Sequence, residues 1–391
     1  MIFLSIGPNY TWAQAWRHMW TRGNKADASK LQSLLTKKYD AQKALLFSQG
    51  RGALAEAVRL ATGGEGKVAV TSMTCFVVIE AIRTAGCEPL YVDVDRHTLQ
   101  FNADNLRRAI KSEDVRAVIV QNMLGIPVEI DEIMKVAHEH DMAVIEDLAH
   151  AVGGQYADGR EIGTVGDYTM LSFGRDKMID TINGGALVIR TTDVKNVVQP
   201  PLEEVPTIQQ LRDRIYPLFA CSVRGLFASG LGKCIHWFAY KTKIAVRSAD
   251  DGTHPERTLP YWQAKLAHEQ LKTIDKKVTM RLKNQDIYQK ELTDFSVAAS
   301  SNGVRWPLLV ENRSEVLAKL KQAGVYAEDV WYEVPVSPAR LYKTVHFPEE
   351  TCPVAVQTTK HILNLPTHQL VGAEDITKIC AIIKKEAKIW K

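Results

Sequence analysis

Seven short apolar runs in the first half of the chain, separated by segments of helical spacing, restrict the fold more than any other feature. They are Lys43 to Ser48 (KALLFS), Lys67 to Ser72 (KVAVTS), Pro89 to Val94 (PLYVDV), Arg116 to Asn122 (RAVIVQN), Met142 to Asp147 (MAVIED), Tyr168 to Phe173 (YTMLSF) and Gly185 to Arg190 (GALVIR). Between them, Gly52 to Ala61, Cys75 to Thr84 and Asp131 to His140 read as helices. This alternation predicts an α/β domain on a mostly parallel sheet. The runs are nearly continuous in apolar residues, so helices must cover both faces of that sheet.

Ligands of such sheets bind beyond the carboxyl ends of the strands. Those ends carry Ser48 with QGRG, Ser72 with MTCF, Asn122 with MLG, Asp147 with LAH, and Ser172-Phe173 with GRDK. Hydroxyls, an amide, a carboxylate, an imidazole, a lysine and a glycine loop together suit an anionic, aromatic, carbonyl-bearing ligand.

From Asp193 to about Pro260 the alternation stops. Beyond it, Tyr261 to Leu292 reads as one amphipathic helix. The tail alternates again through Val304 to Val310, a helix near Ser314 to Ala323, His361 to Pro366 and a helix from about Ala373. The expected division is a large ligand-binding domain over 1–270, with an insert at about 205–250, and a smaller α+β domain over 271–391.

Composition removes several alternatives. Lys+Arg 49 against Asp+Glu 45 gives a net charge of +4, too small a balance to predict nucleic-acid binding. The six cysteines form no C-x-x-C pair and no zinc-type spacing, which predicts reduced thiols, no metal and a cytoplasmic protein. The opening MIFLSIGPNYTWAQAW lacks the pattern of a signal peptide, and no stretch is long and apolar enough to span a bilayer.

Individually, the candidate residues have ordinary readings. A lone lysine such as Lys177 is usually a solvated charge, but in partly apolar surroundings its amine becomes a neutral nucleophile toward aldehydes. Asp147 reads either as a helix N-cap or as a carboxylate facing a pyridine nitrogen. His150, three residues on, is either structural or turned to the same ligand. The SQGRG loop opens a helix and is an anion site in waiting, with Gly50, Arg51 and Ser172 as its donors.

In combination, several motifs carry a resemblance. Ser48 to Leu54, Gly66 to Asp95, Val144 to Phe173, Lys177 with Gly184-Gly185, and Pro353 to His368 resemble the DegT/DnrJ/EryC1/StrS family. These are fold type I enzymes dependent on pyridoxal phosphate, mostly sugar aminotransferases. The resemblance implies pyridoxal 5'-phosphate as cofactor, Lys177 as the Schiff-base lysine, Asp147 on the pyridine nitrogen and His150 near the ring hydroxyl. It also implies Gly50, Arg51 and Ser172 as the phosphate cradle, and Cys75 or Phe76 where the family stacks an aromatic on the ring. Arg51 replaces a usual threonine, Asn183 replaces a usual glutamate, and the family's Asn-x-Arg segment is not recognisable in THPERTLPYWQ. The implied activity is transfer of an amino group, from glutamate, to a nucleotide-linked keto sugar by a homodimer. A catalytically silent binding protein of the same fold is the alternative, as is a dehydratase, which in such relatives has histidine in place of the lysine.

The insert is separate. Arg212 to Arg247 carries Arg212, Arg214, Arg224, Lys233, Lys241, Lys243 and Arg247 against the single acid Asp213, interleaved with Phe219, Phe227, Trp237, Phe238 and Tyr240. It reads as a helical arm at a subunit interface, or as an interfacial membrane anchor over 212–247 that would make the protein membrane-associated. Nucleic-acid binding is the weakest of the three.

Overall fold

The computed structural model describes residues 1–111, 113–191, 197, 199, 202–242, 256–295, 297–328 and 331–390. Lys243 and Arg247 of the basic insert lie outside the described residues. All seven apolar runs form strands: β1 Lys43–Phe47, β2 Lys67–Thr71, β3 Glu88–Val92, β4 Val115–Val120, β5 Ala143–Asp147, β6 Tyr168–Ser172 and β7 Gly185–Ile189. They make one sheet in the order β1-β7-β6-β5-β4-β2-β3. Neighbours from β6 to β3 are parallel, while β7 is antiparallel to both β6 and β1. The mixed, mostly parallel sheet is the expected one.

Two apolar clusters cover its faces. One joins Leu31, Val118, Val144, Leu171 and Val188, and the other Leu45, Val70, Ile119, Ile145 and Leu187. Alternate residues of the same strands thus feed opposite clusters, which is why the strands read as unbroken apolar runs.

The register builds the site. Phe47 and Ser172 both pair with Gly185, and Gln49 bridges Gly184, so the chain leaving β1 passes directly over the end of β6. There the helix Gly50–Thr62 begins, ending at Gly63 in the left-handed conformation (φ 71°).

Two elements differ from the expectation. Tyr261 to Leu292 is two helices, Tyr261–Lys272 and Ile274–Glu291, broken at Thr273, whose hydroxyl donates to Glu269 O and Gln270 O. A side chain that takes the preceding carbonyls competes with the helix ladder. Trp12–Trp20, not anticipated as an element, is a helix started by a Thr11–Gln14 capping box.

A third cluster contains Tyr288, Trp306, Leu320, Leu363 and Ile379. It packs around the antiparallel pair Trp306–Leu309 and Ile362–Leu365 with the helices Arg313–Gln322 and Ala373–Glu386. From this lobe Val336–Ser337 pairs with Thr74–Cys75, which brings the segment from Trp331 onward over the strand ends of the large sheet.

Candidate active site

A cavity of about 1310 Å³ opens at those strand ends. Gly50, Arg51, Cys75, Asp147, His150, Ser172 and Lys177 all line it, although they come from four separate segments. Phe76 does not. It is the first residue of the helix Phe76–Thr84, and the turn of the helix carries its side chain into the core, leaving its neighbour Cys75 at the cavity. Ser72 and Asn122 are also directed elsewhere: Ser72 Oγ donates to Asp93, and Asn122 Oδ1 accepts from Val128 N.

Asp147 ends β5 and is 1% exposed. Its Oδ1 accepts from Ala149 N at 2.9 Å and its Oδ2 from Gln121 Nε2 at 2.8 Å, while Gln121 Oε1 is held by Thr74 Oγ1 at 2.6 Å. Burial raises the carboxyl's pKa, and the two hydrogen bonds and the charge of Lys177 oppose that rise. Oδ1 thus caps the following turn, which is not a helix, while the carboxylate also lines the cavity.

Lys177 sits in a loop between two residues in the left-handed region, Asp176 (φ 64°) and Ile182 (φ 72°). Asp180 holds the loop in this shape. Its Oδ2 accepts from Asp176 N (2.9 Å) and Asn9 Nδ2 (3.0 Å), and its Oδ1 from Ile182 N (3.0 Å) and Tyr10 Oη (2.6 Å). Asn9 Nδ2 also donates to Lys177 O at 2.9 Å, and Lys277 Nζ to Met178 O at 2.7 Å. The amine of Lys177 lies 4.2 Å from the centre of the Trp331 ring. Burial pushes its pKa below the ordinary lysine value, Cys75 and Asp147 oppose this, and Arg305 adds to it.

His150 is held neutral, first by burial and then by the charges of Lys177 and Arg305. Its Nδ1 accepts from Leu124 N at 3.2 Å, which places the ring hydrogen on Nε2. Trp331 packs on the imidazole at 4.1 Å between ring centres. The aromatic ring packed beside Lys177 and His150 is thus Trp331, from a segment far from position 75.

The anion end is shaped by missing side chains. A Cβ on Gly50 would stand 3.0 Å from Ser172 Cβ and Oγ, and one on Gly185 would stand 2.6 Å from Gly50 Cα. Gln49 Oε1 is buried there with no hydrogen-bond partner among the described residues. Arg51 Nη1 lies 2.5 Å from Glu80 Oε2, which fixes its guanidinium at the cavity edge.

The far wall was not legible in the sequence as part of a site. Arg175 lies over the Tyr216 ring at 4.4 Å, and Asn183 Nδ2 donates to Asp213 Oδ1 at 3.0 Å. Burial lifts the Asp213 carboxyl to about 6. His236, Trp237 and Lys241 of the insert complete this wall. The one hint in the sequence was Asp213, a single acid in a long basic stretch.

Known proteins share this fold. Residues 11–200 and 256–384 match the model of the DegT/DnrJ/EryC1/StrS aminotransferase family. An uncharacterized protein of Methanocaldococcus jannaschii is 41% identical over 112 residues, 29% of this chain and 28% of that protein. The match therefore spans under a third of that relative's length. The dTDP-4-amino-4,6-dideoxy-D-glucose transaminase of Shigella dysenteriae is 24% identical over 387 residues, 95% of this chain and 93% of that one. Among solved structures, a DegT DnrJ EryC1 StrS aminotransferase from Brucella abortus superposes with a TM-score of 0.69 at 20% identity, covering 95% of this chain and 93% of its own.

Proposed function

Because the chain belongs to the DegT/DnrJ/EryC1/StrS aminotransferase family, whose fold carries pyridoxal phosphate, we propose that it transfers an amino group from glutamate to a nucleotide-linked keto sugar, working as a cytoplasmic homodimer. The observation that carries this reading is the meeting of Lys177, with its lowered amine pKa, and the buried Asp147 carboxylate in one cavity.

The residues present fit the cofactor. The narrow space between Gly50, Gly185 and Ser172, at the start of a helix, suits a phosphate, because backbone N–H groups and the helix dipole favour an anion there. Asp147 would keep a proton on the pyridine nitrogen, and His150, neutral and packed on Trp331, would border the ring. When bound, the cofactor supplies an electron sink for negative charge at the carbon that carries the amino group.

Lys177 would anchor the aldehyde. Freed when the donor's amine takes its place, its Nζ would take a proton from the donor's α-carbon and deliver it to the carbon on the other side of the amino nitrogen. A lowered pKa suits that task, since a larger fraction of the amine is unprotonated at neutral pH. Gln121 and Ala149 N donate to Asp147 and favour its ionised form against the effect of burial, so its orientation is set before substrate arrives. Arg175, Arg305 and Arg340 line the rest of the cavity and suit the carboxylate and phosphate groups of the two substrates.

The test is spectroscopic. The purified holoprotein should be yellow, bleach with glutamate and regain colour with a nucleotide keto sugar. Lys177→Ala should do neither, and a Lys177→Ala protein that turned over normally would sink the assignment.

A further inference from the structure

The exposed apolar surface is concentrated beside the cavity mouth, on the helix Trp12–Trp20 and on the two insert helices, Thr207–Gly225 and Leu231–Lys241. Trp12, Trp16 and Trp20 recur every four residues along one helix flank and are 52%, 51% and 68% exposed. Trp12–Trp20 and Thr207–Gly225 run antiparallel: Arg224 donates to Tyr10 O, and Arg214 to Met19 O and Thr21 O. The other flank of Trp12–Trp20 is occupied by the pairs Arg17–Glu269 and Gln14–Gln369. Ile208, Leu211 and Ile215 of the adjoining helix are exposed as well.

The second insert helix crosses the first closely, because a Cβ on Gly232 would stand 2.3 Å from Val223 O. Its face opposite the buried Gly232 and Ala239 carries Lys233, Trp237, Lys241 and Phe238, with Lys241 Nζ 4.5 Å from the Trp237 ring centre. Trp237 and Lys241 also line the catalytic cavity, so this surface and the cavity mouth are continuous.

Charge decides what covers it. Neither the first 26 residues nor residues 214–242 contain an aspartate or glutamate, while Arg22, Lys25, Arg212, Lys233 and Lys241 are exposed in or beside them. A second copy docked through the same face would set these cations against each other. An anionic bilayer complements them, and tryptophan is the side chain that favours the headgroup layer. Among the described residues no helix is long and apolar enough to cross a membrane, so the contact is one of lying on the surface. Both insert helices fall between the two stretches matched by the family model, whereas Trp12–Trp20 lies inside the first of them.

We propose that this face docks on an anionic lipid surface, with the cavity mouth beside the lipid. The inference stands independently of the transamination reading. The test uses the holoprotein with vesicles of phosphatidylcholine alone or mixed with phosphatidylglycerol. Sedimentation with the mixed vesicles should exceed that with phosphatidylcholine by about ten-fold or more, fall with added salt, and blue-shift the tryptophan emission. The double variant Trp16→Glu/Trp20→Glu should lose at least about ten-fold in vesicle binding. Its bleaching by glutamate in solution should be unchanged. Ile215→Glu provides a second disruption of the same face should the double variant fail to fold. Absence of binding to either vesicle, equal binding by the folded variants, binding to nucleic acid in place of lipid, or loss of an oligomer as the variants' sole effect would each overturn the proposal.

Discussion

Asp180 is the residue on which the position of Lys177 depends, and it does so with acceptors only. Four donors converge on its two oxygens, two of them the backbone N–H groups of Asp176 and Ile182. Asparagine at this position would turn an NH₂ toward at least one of those donors. Asp180→Asn should therefore cost on the order of 2–4 kcal/mol, since a buried donor is left unpaired and a charge-assisted bond is lost. It should also reduce kcat, because both left-handed residues of the loop lose their anchor. Thermal unfolding together with steady-state rates checks both, and a variant of unchanged stability would refute the account. His18 gives the pH dependence at the same scale. It packs edge-on against Tyr10 and Trp262, and burial, with the nearby charge of Arg214, lowers its pKa to about 3. The unfolded chain takes up this proton below about 6.5 and the folded one only near 3. The stability is thus present above about pH 6.5 and is lost as pH falls toward 3. In His18→Phe, the slope of unfolding free energy against pH between about 4 and 6 should flatten by one proton. Denaturant titrations at several pH values measure that slope.

At the scale of elements, the sheet was legible because each strand is a closed apolar run buried on both faces, and its ends differ from the reading by only one or two residues. The position of the SQGRG loop was legible for the same reason: it follows a strand and opens a helix. What could not be read were contacts between segments far apart in the chain. Trp331, which packs on both Lys177 and His150, belongs to a stretch with neither period, and it reaches the site through the pairing of Val336–Ser337 with Thr74–Cys75. The Tyr261 to Leu292 helix was misread because apolar spacing continues across Thr273, whereas the break comes from a side-chain hydroxyl. The glycine loop supplies the prediction at this scale. In Gly50→Ala the new methyl would enter the gap 3.0 Å from Ser172 Oγ, where a phosphate is proposed to sit. Cofactor affinity should fall by about ten-fold or more, while the apoprotein melts within a few degrees of the parent, since alanine is tolerated in a first helical turn. Cofactor titration followed by absorbance is the measurement, and unchanged affinity would move the phosphate site elsewhere.

Across the whole molecule, one buried cation joins the lobes to the loop that carries Lys177. Arg281, on the helix Ile274–Glu291, is 0% exposed. Its Nη1 donates to Val304 O at 3.1 Å and Thr367 Oγ1 at 3.2 Å, and its Nη2 to Asn9 Oδ1 at 3.1 Å. Asn9 in turn donates to Lys177 O and Asp180. A residue among the small lobe's segments is thus two hydrogen bonds from the backbone of the proposed catalytic lysine. Burial lowers the guanidinium's pKa to about 9, with Arg305 beside it adding to the effect, so it remains charged at neutral pH. Arg281→Met removes the cost of burying that charge but takes the donor from Thr367 Oγ1 and Asn9 Oδ1, while Val304 O keeps Arg305 Nη1 at 2.9 Å. The second effect should win, because each stranded buried acceptor costs about 1–3 kcal/mol. The expected result is a single unfolding transition at a lower midpoint, with a net loss on the order of 3 kcal/mol. The rate should fall as well, at temperatures where the variant is fully folded, because Asn9 no longer has a fixed orientation toward Lys177. Calorimetry paired with the glutamate half-reaction separates the two effects. A lower midpoint with an unchanged rate per folded molecule would show that Arg281 supports the lobes without reaching the loop.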